Sequence, residues 1–335
     1  MPGLAAAQGR WSANAALLAL LALLGAASVF TGYAPLGFAA VWQGVTGADD
    51  LARIIVWDIR APRLVLGLLV GASLGMGGAV LQGLFRNPLA EPGVVGVAPA
   101  AGLGAVVAIY FGWSTGGEWI VPLAAMAGAA LAMGLLLLIA LGEASILTLV
   151  LAGAGLSSLC VALISLALNF APNPFALSEI VYWLMGSLKD RSWDDVITAA
   201  PFIAAGLLLM AMTARGLDAL ALGEDVAASL GVPLMRLSAI AIAGVTLSAG
   251  AATAAAGAIG FVGLIAPHAM RPFAGHEPGR LLWPSAFAGA ALVTAADVAV
   301  RLIGGTPELM LGVVVALIGA PLFVHILFST RRAMR

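Results

Sequence analysis

Ten apolar stretches follow one another along the chain, most of them close to 20 residues long, and they limit the fold more than any other feature. They lie at roughly 14–32, 62–84, 94–111, 120–141, 146–169, 196–214, 237–256, 259–270, 283–303 and 309–329. About 20 apolar residues make one helical crossing of a hydrocarbon core. The stretches lack the period-2 alternation of a membrane barrel strand. A backbone in lipid must satisfy its own N–H and C=O groups, so they are read as helices. Composition agrees: 62% of residues are hydrophobic and 9% charged, where soluble domains carry roughly 25% charged residues. The 42 glycines suit helices that pack closely without a hydrophobic drive between them. The expectation is an all-α integral membrane protein of about ten transmembrane helices. It forms a single polytopic domain over residues 1–335, since no polar segment exceeds about 30 residues.

The first stretch reads as a retained span, because Ala15 to Phe30 is long for the core of a cleaved signal. Ten spans put both termini on one side. That side holds nine of the basic residues: Arg10, Arg86, Arg215, Arg236, Arg271, Arg280, Arg331, Arg332 and Arg335. The other holds six: Arg53, Arg60, Arg63, Lys189, Arg191 and Arg301. The bias predicts cytoplasmic termini for a multi-pass protein with lipid as its surroundings. The single cysteine, Cys160, sits in an apolar run and reads as a buried small hydrophobe. A net charge of −1 gives no reason to expect nucleic acid as a partner.

Two connecting segments are more than loops. Residues 171–192 read as a short helix near the outer surface, and 217–233 as two short helices broken at Gly231-Val232-Pro233. The third and eighth stretches are short and adjoin runs rich in Gly and Pro, NPLAEPGVVGV (87–97) and GAIGFVGLIAPH (257–268). Spans 2–5 and 7–10 then form corresponding halves of inverted topology, and paired interrupted helices in such halves mark a transport path. An ion-coupled secondary transporter shares this pattern. It should carry ionisable groups near mid-span, and none is found there; Asp297 comes nearest, close to the outer end of its span. No pattern suggests a metal site: His276 and His325 stand alone.

The run RAPRLVLGLLVGASLGMGGAVLQGLFRNPLAEPGVVGV (60–97) resembles the signature of the FecCD-type permeases of type II ABC importers. VYWLMGSL (181–188), ALGEDVAASLGV (221–232), GAIGFVGLIAPHAMR (257–271) and LGVVVALIGAPLFVHIL (311–327) resemble the same family in the same order. The resemblance implies a permease that moves a metal chelate into the cytoplasm by alternating access. A ferric siderophore is the first expectation for cargo, with haem next and cobalamin third, an order that rests on how common such systems are. It implies four kinds of partner: a second permease copy in a homodimer, two ATP-binding-cassette ATPases, a periplasmic binding protein, and lipid. No catalytic residue and no cofactor is expected in this chain. It has no GxxxxGK[ST] loop and a single lysine, Lys189, so ATP and its magnesium belong to the ATPase.

The resemblance also implies roles for particular residues. In the 217–233 segment Leu220, Leu222, Val226 and Leu230 form an apolar face for the ATPase, Glu224 meets its basic residues, and Gly223 and Gly231 permit the turns. Asn87, Pro88, Glu91, Pro92 and Gly93 form a hallmark read as structural, with gating as the alternative. Pro267 and His268 are likewise read as structural, His268 through a local hydrogen bond rather than as a metal ligand. Ser145, Ile146 and Leu147 match a cytoplasmic constriction of the cobalamin-importing relatives, while Tyr182, Trp183 and Met185 are read equally as part of an outer gate or as ordinary interfacial anchors. Arg60, Arg63 and Arg301 match arginines that meet glutamates of the binding protein in the cobalamin-importing relatives. Asp297 is placed to orient Arg301 at i,i+4.

Overall fold

The computed structural model describes residues 2–142, 146–305 and 308–333, with side chains described from 15 to 140, at 142, from 147 to 305 and from 308 to 324. In chain order the helices are α1 (Pro2–Phe30), α2 (Phe38–Thr46), α3 (Asp50–Arg53), a π-helical segment (Ile54–Arg60), α4 (Ala61–Leu84), α5 (Val97–Tyr110), a 3-10 turn (Trp113–Gly116), α6 (Ile120–Leu141), α7 (Ile146–Asn169), α8 (Pro174–Met185), α9 (Trp193–Met212), α10 (Ala214–Leu220), α11 (Glu224–Ser229), α12 (Leu234–Ala256), α13 (Val262–Ala274), α14 (Pro278–Ile303) and α15 (Leu311–Ala333). A helix lies at each of the ten apolar stretches. Six helical runs are long and apolar enough to cross a membrane by themselves. The 14 residues of α5 and 13 of α13 reach only about 20 Å, short of a hydrocarbon core of about 30 Å. They are the two interrupted spans.

The halves pack as equivalents. Helix α4 lies against α14 as α12 lies against α6, and α5 against α6 as α13 against α14. The pairs α4 with α13 and α12 with α5 also correspond. Small residues allow these contacts. A Cβ on Gly75 would stand 2.1 Å from the carbonyl oxygen of Ser285, and one on Gly78 1.9 Å from that of Gly263. At these crossings backbone meets backbone, which only glycine permits. Cys160 is buried on α7, beside Ala100 and Ala132.

Two expectations need correcting. The second span does not begin near residue 62: α3, the π segment and α4 form one helical run from Asp50 to Leu84, capped where Asp49 accepts from the backbone N–H of Ala52 at 2.9 Å. Pro62 accounts for the π turns. It has no N–H for the carbonyl of Asp58 and its ring excludes that oxygen, so the ladder widens, and Ala61 N–H donates to Val56 instead. The break between the short helices α10 and α11 falls at 221–223 rather than at 231–233. Gly223 (φ +119) turns the chain between them, and Gly231 (φ +80) ends α11 before Pro233 opens α12.

Candidate functional site

Three places along α4 hold the residues singled out above. The first is its N-terminal end. Pro62 stands early in α4, and the π turns before it bring Arg60 and Arg63 to face α1 and α14. Both arginines are buried, at 3% and 9% exposure, and so is Arg301 at 8%. They are therefore not free surface cations. Arg63 lies 2.8 Å from Asp297 and also pairs with Glu308. Arg301 meets the other oxygen of Asp297 at 2.8 Å, one turn along α14. Its remaining donors reach the carbonyls of Ser28 and Thr31 at 2.8 and 2.7 Å and the hydroxyl of Ser28 at 2.6 Å. Arg60 donates to the carbonyls of Val29 and Ala34. Its guanidinium crosses so close to Gly32 that a Cβ there would stand 3.0 Å away.

The cluster thus joins the end of α1, the start of α4, the end of α14 and the connection to α15. Three cations face two carboxylates, which leaves one positive charge in excess. Asp297 is the hub, with one oxygen for each arginine. Glu308 went unnoticed in the sequence because no motif surrounds it. Its signal is a carboxylate in a Gly-rich connection beside an otherwise apolar span.

The second place lies between the two helix breaks. Asn87 opens its segment with a local turn, its Oδ1 accepting from the backbone N–H of Leu89 at 3.0 Å. Glu91 then crosses to the other half, where its Oε2 accepts from the backbone N–H of Phe261 at 3.1 Å. Phe261 has φ +66 and caps the N-terminus of α13. Pro92 and Glu91 pack on Gly263, where a Cβ would come within 3.1 and 3.2 Å of them. From α4, the Gln82 amide donates to the carbonyl of Gly263 at 3.1 Å and accepts from Arg271 at 2.9 Å. Pro267 is buried within α13, and His268 is partly buried beside it with an interaction of its own. A cavity of about 340 Å³ lies along these breaks, bounded by α5, α7, Leu184 of α8 and residues 258–260.

Helix α8 ends on the second break, with Ser187 N–H donating to the carbonyl of Ala256 at 2.8 Å. Tyr182 is exposed, Met185 is at the margin of exposure, and Trp183 packs partly into the core. Leu184, beside them on α8, lines the cavity, and Trp183 lies with it against Gly102 of α5; the trio was expected at an outer gate and the residues near 146 at a constriction. Of those, Ser145 and the side chain of Ile146 lie outside the described residues, and Leu147 is exposed.

The third place is the far end of α4, where Gly83 lies against Leu217 of α10 and Pro278 of α14. Leu220 was expected on an outward apolar face with Leu222, Val226 and Leu230. The structure corrects this: Leu220 is fully buried, because it shares with Leu217 the i,i+3 stripe that seats α10 on α4 and α14. Leu222, Val226 and Leu230 are exposed at 66%, 44% and 63%. Glu224 and Asp225 are exposed beside them, in the first turn of α11.

The comparisons with known proteins cover nearly the whole chain. The model of the FecCD transport family matches residues 20–329. The vitamin B12 import system permease proteins BtuC of Salmonella paratyphi A and Salmonella typhimurium (strain LT2) are each 38% identical over 327 residues, 96% of this chain and 96% of each relative. A solved structure described as an inward-facing conformation of a transporter assigned to the metal-chelate ABC type superposes with a TM-score of 0.82 at 30% identity, over 94% of this chain and 98% of the other. With eight spans in paired halves, two of them interrupted, and a family model that matches residues 20–329, the chain belongs to the FecCD transport family.

Proposed function

We propose that the chain is the membrane-spanning permease of an ATP-driven importer that carries a metal chelate from periplasm to cytoplasm. Family membership makes it a transport permease. The observation that supports the rest is the outward apolar and acidic surface of Leu222, Val226, Leu230, Glu224 and Asp225 at one end of α4. Such a surface on a short helix suits a protein partner better than anionic headgroups, which would repel its charge. The partner is the ATPase, which binds ATP and magnesium. On this reading the 217–233 segment and both termini face the cytoplasm. A second copy closes the pathway, and α7 supports this: it lines the cavity with Val161 and Ile164 while Leu147, Leu151, Leu159 and Leu166 stand exposed. The cargo is a metal chelate. The permeases 38% identical to this chain are named for vitamin B12, and a ferric siderophore is the competing cargo. Whether uptake follows ATP or an ion gradient tests the reading as a whole.

The periplasmic binding protein docks at the Arg60, Arg63 and Arg301 cluster, held by its excess positive charge rather than by three free guanidinium groups. Arg60→Gln isolates that charge, because Arg60 bonds only to carbonyls and its loss strands no carboxylate. Charge complementarity chiefly sets the rate of encounter. Association with the binding protein is therefore expected to slow several-fold at low salt and to match the unmodified chain at high salt. Equal rates at both salt concentrations would rule out docking through this charge.

A further inference from the structure

Glu91 combines three features. It joins the two helix breaks through its bond to Phe261 N–H. It lines the 340 Å³ cavity between them. Among the described residues no cation lies within ion-pair distance of it, and Oε1 makes no hydrogen bond. The walls that face it are apolar apart from the hydroxyl of Ser165. The ionisable groups elsewhere on the same elements do not line the cavity: Arg63 on α4, Arg86 in its own segment, Tyr110 on α5, Cys160 on α7, Glu179 and Tyr182 on α8, and His268 and Arg271 on α13.

An ionised carboxylate held among apolar walls without a cation is costly. Its neutral form costs far less and still offers an oxygen to Phe261. We propose that Glu91 is a proton-binding site that sets how firmly the two interrupted spans are held together: the protonated carboxyl suits the cleft as it is built here, and ionisation favours a wider cleft that water can enter. Glu91 packs on Gly263 beside Leu74, at the depth of the middle of α4, where enclosure favours the neutral carboxyl and the Phe261 hydrogen bond pulls the other way. Because the closed arrangement holds the proton more tightly than the open one, it has its full advantage below the ordinary carboxylate range and loses it as pH rises past the point where the enclosed carboxyl ionises. The proton here tunes a hinge and does not supply the energy for transport.

The test reads water in the cleft and involves neither cargo nor ATPase, so it stands or falls apart from the proposed function. Ala258→Cys places a thiol on the cavity wall in a Cys160→Ala background. The rate of labelling by a polar maleimide is compared between Glu91 and Glu91→Gln, which keeps an acceptor for Phe261 and cannot ionise. Both chains carry the same thiol, so the ratio of rates cancels its intrinsic pH dependence, and the field of an ionised Glu91, which raises the thiol pKa, works against the expected rise and cannot mimic it. That ratio is expected to rise several-fold between about pH 6 and about pH 8. A ratio that stays constant overturns the proposal. Should Glu91→Gln not fold, the unmodified chain still decides the matter. A protonated-carboxyl infrared band that disappears with a midpoint between about pH 6 and about pH 8 is expected, and no band titrating in that interval overturns the proposal.

Discussion

Asp297→Ala is expected to cost about 3–5 kcal/mol of stability, because it leaves buried arginines without their shared carboxylate. Arg301 loses its one acidic partner and keeps only carbonyl and hydroxyl contacts. Arg63 keeps only Glu308. Neither guanidinium can move to water without unpacking the end of α14 from α4, the pair held backbone to backbone through Gly71, Gly75 and Gly289. Glu308→Gln should cost clearly less, because Arg63 retains Asp297 and Gln still accepts one hydrogen bond. Thermal unfolding in detergent, followed by the amount of monodisperse protein that survives heating, reads both variants. Equal survival of Asp297→Ala and the unmodified chain would show that the cluster does not hold these helices.

Replacing Leu222, Val226 and Leu230 together by Asp should reduce ATP-driven uptake by about tenfold or more while thermal survival stays unchanged. The two readouts separate because all three side chains are already exposed. Their loss takes nothing from the packing of α10, which rests on Leu217 and Leu220. A docking surface concentrates its energy in a few apolar anchors, and introducing charge there removes them and adds desolvation. Leu220→Ala should behave in the opposite way: it leaves a hole under α10 and costs about 2–5 kcal/mol in survival. Normal uptake and normal co-purification of the ATPase with the triple variant would remove the docking role from this segment.

The ten helices were legible because lipid imposes one demand, about 20 apolar residues per crossing, and local composition answers it. The interrupted spans were legible for the same reason, since Gly and Pro announce the breaks at 87–97 and 257–263. Helix α2 and the run at 50–60 that leads into α4 were not, because Asp49, Asp50, Arg53, Asp58 and Arg60 interrupt the hydropathy and make this stretch read as an outer loop. Its π turns follow from Pro62, but only once a helix is known to precede that proline. The position of the α10–α11 break depended on which glycine takes a positive φ, and both Gly223 and Gly231 do. The arginines were found by their motif and their side of the membrane. Their burial was hidden, because it depends on distant partners: Arg63 meets Asp297 and Glu308, 234 and 245 residues away, and Arg301 meets Ser28 and Thr31, 273 and 270 residues away. The bond of Glu91 to Phe261, 170 residues off, was hidden in the same way. Local pattern reports what a residue is suited to, and only the packed halves report whom it meets.

The most direct test of the account is uptake into proteoliposomes that contain this chain and its partner ATPase, with binding protein and radiolabelled cargo outside. Cobalamin and a ferric siderophore are offered in separate runs. The account predicts that uptake of a metal chelate requires ATP on the ATPase side, continues when proton and sodium gradients are collapsed, and is absent when the ATPase is omitted. Uptake driven by a proton or sodium gradient in vesicles that hold this chain alone would contradict it.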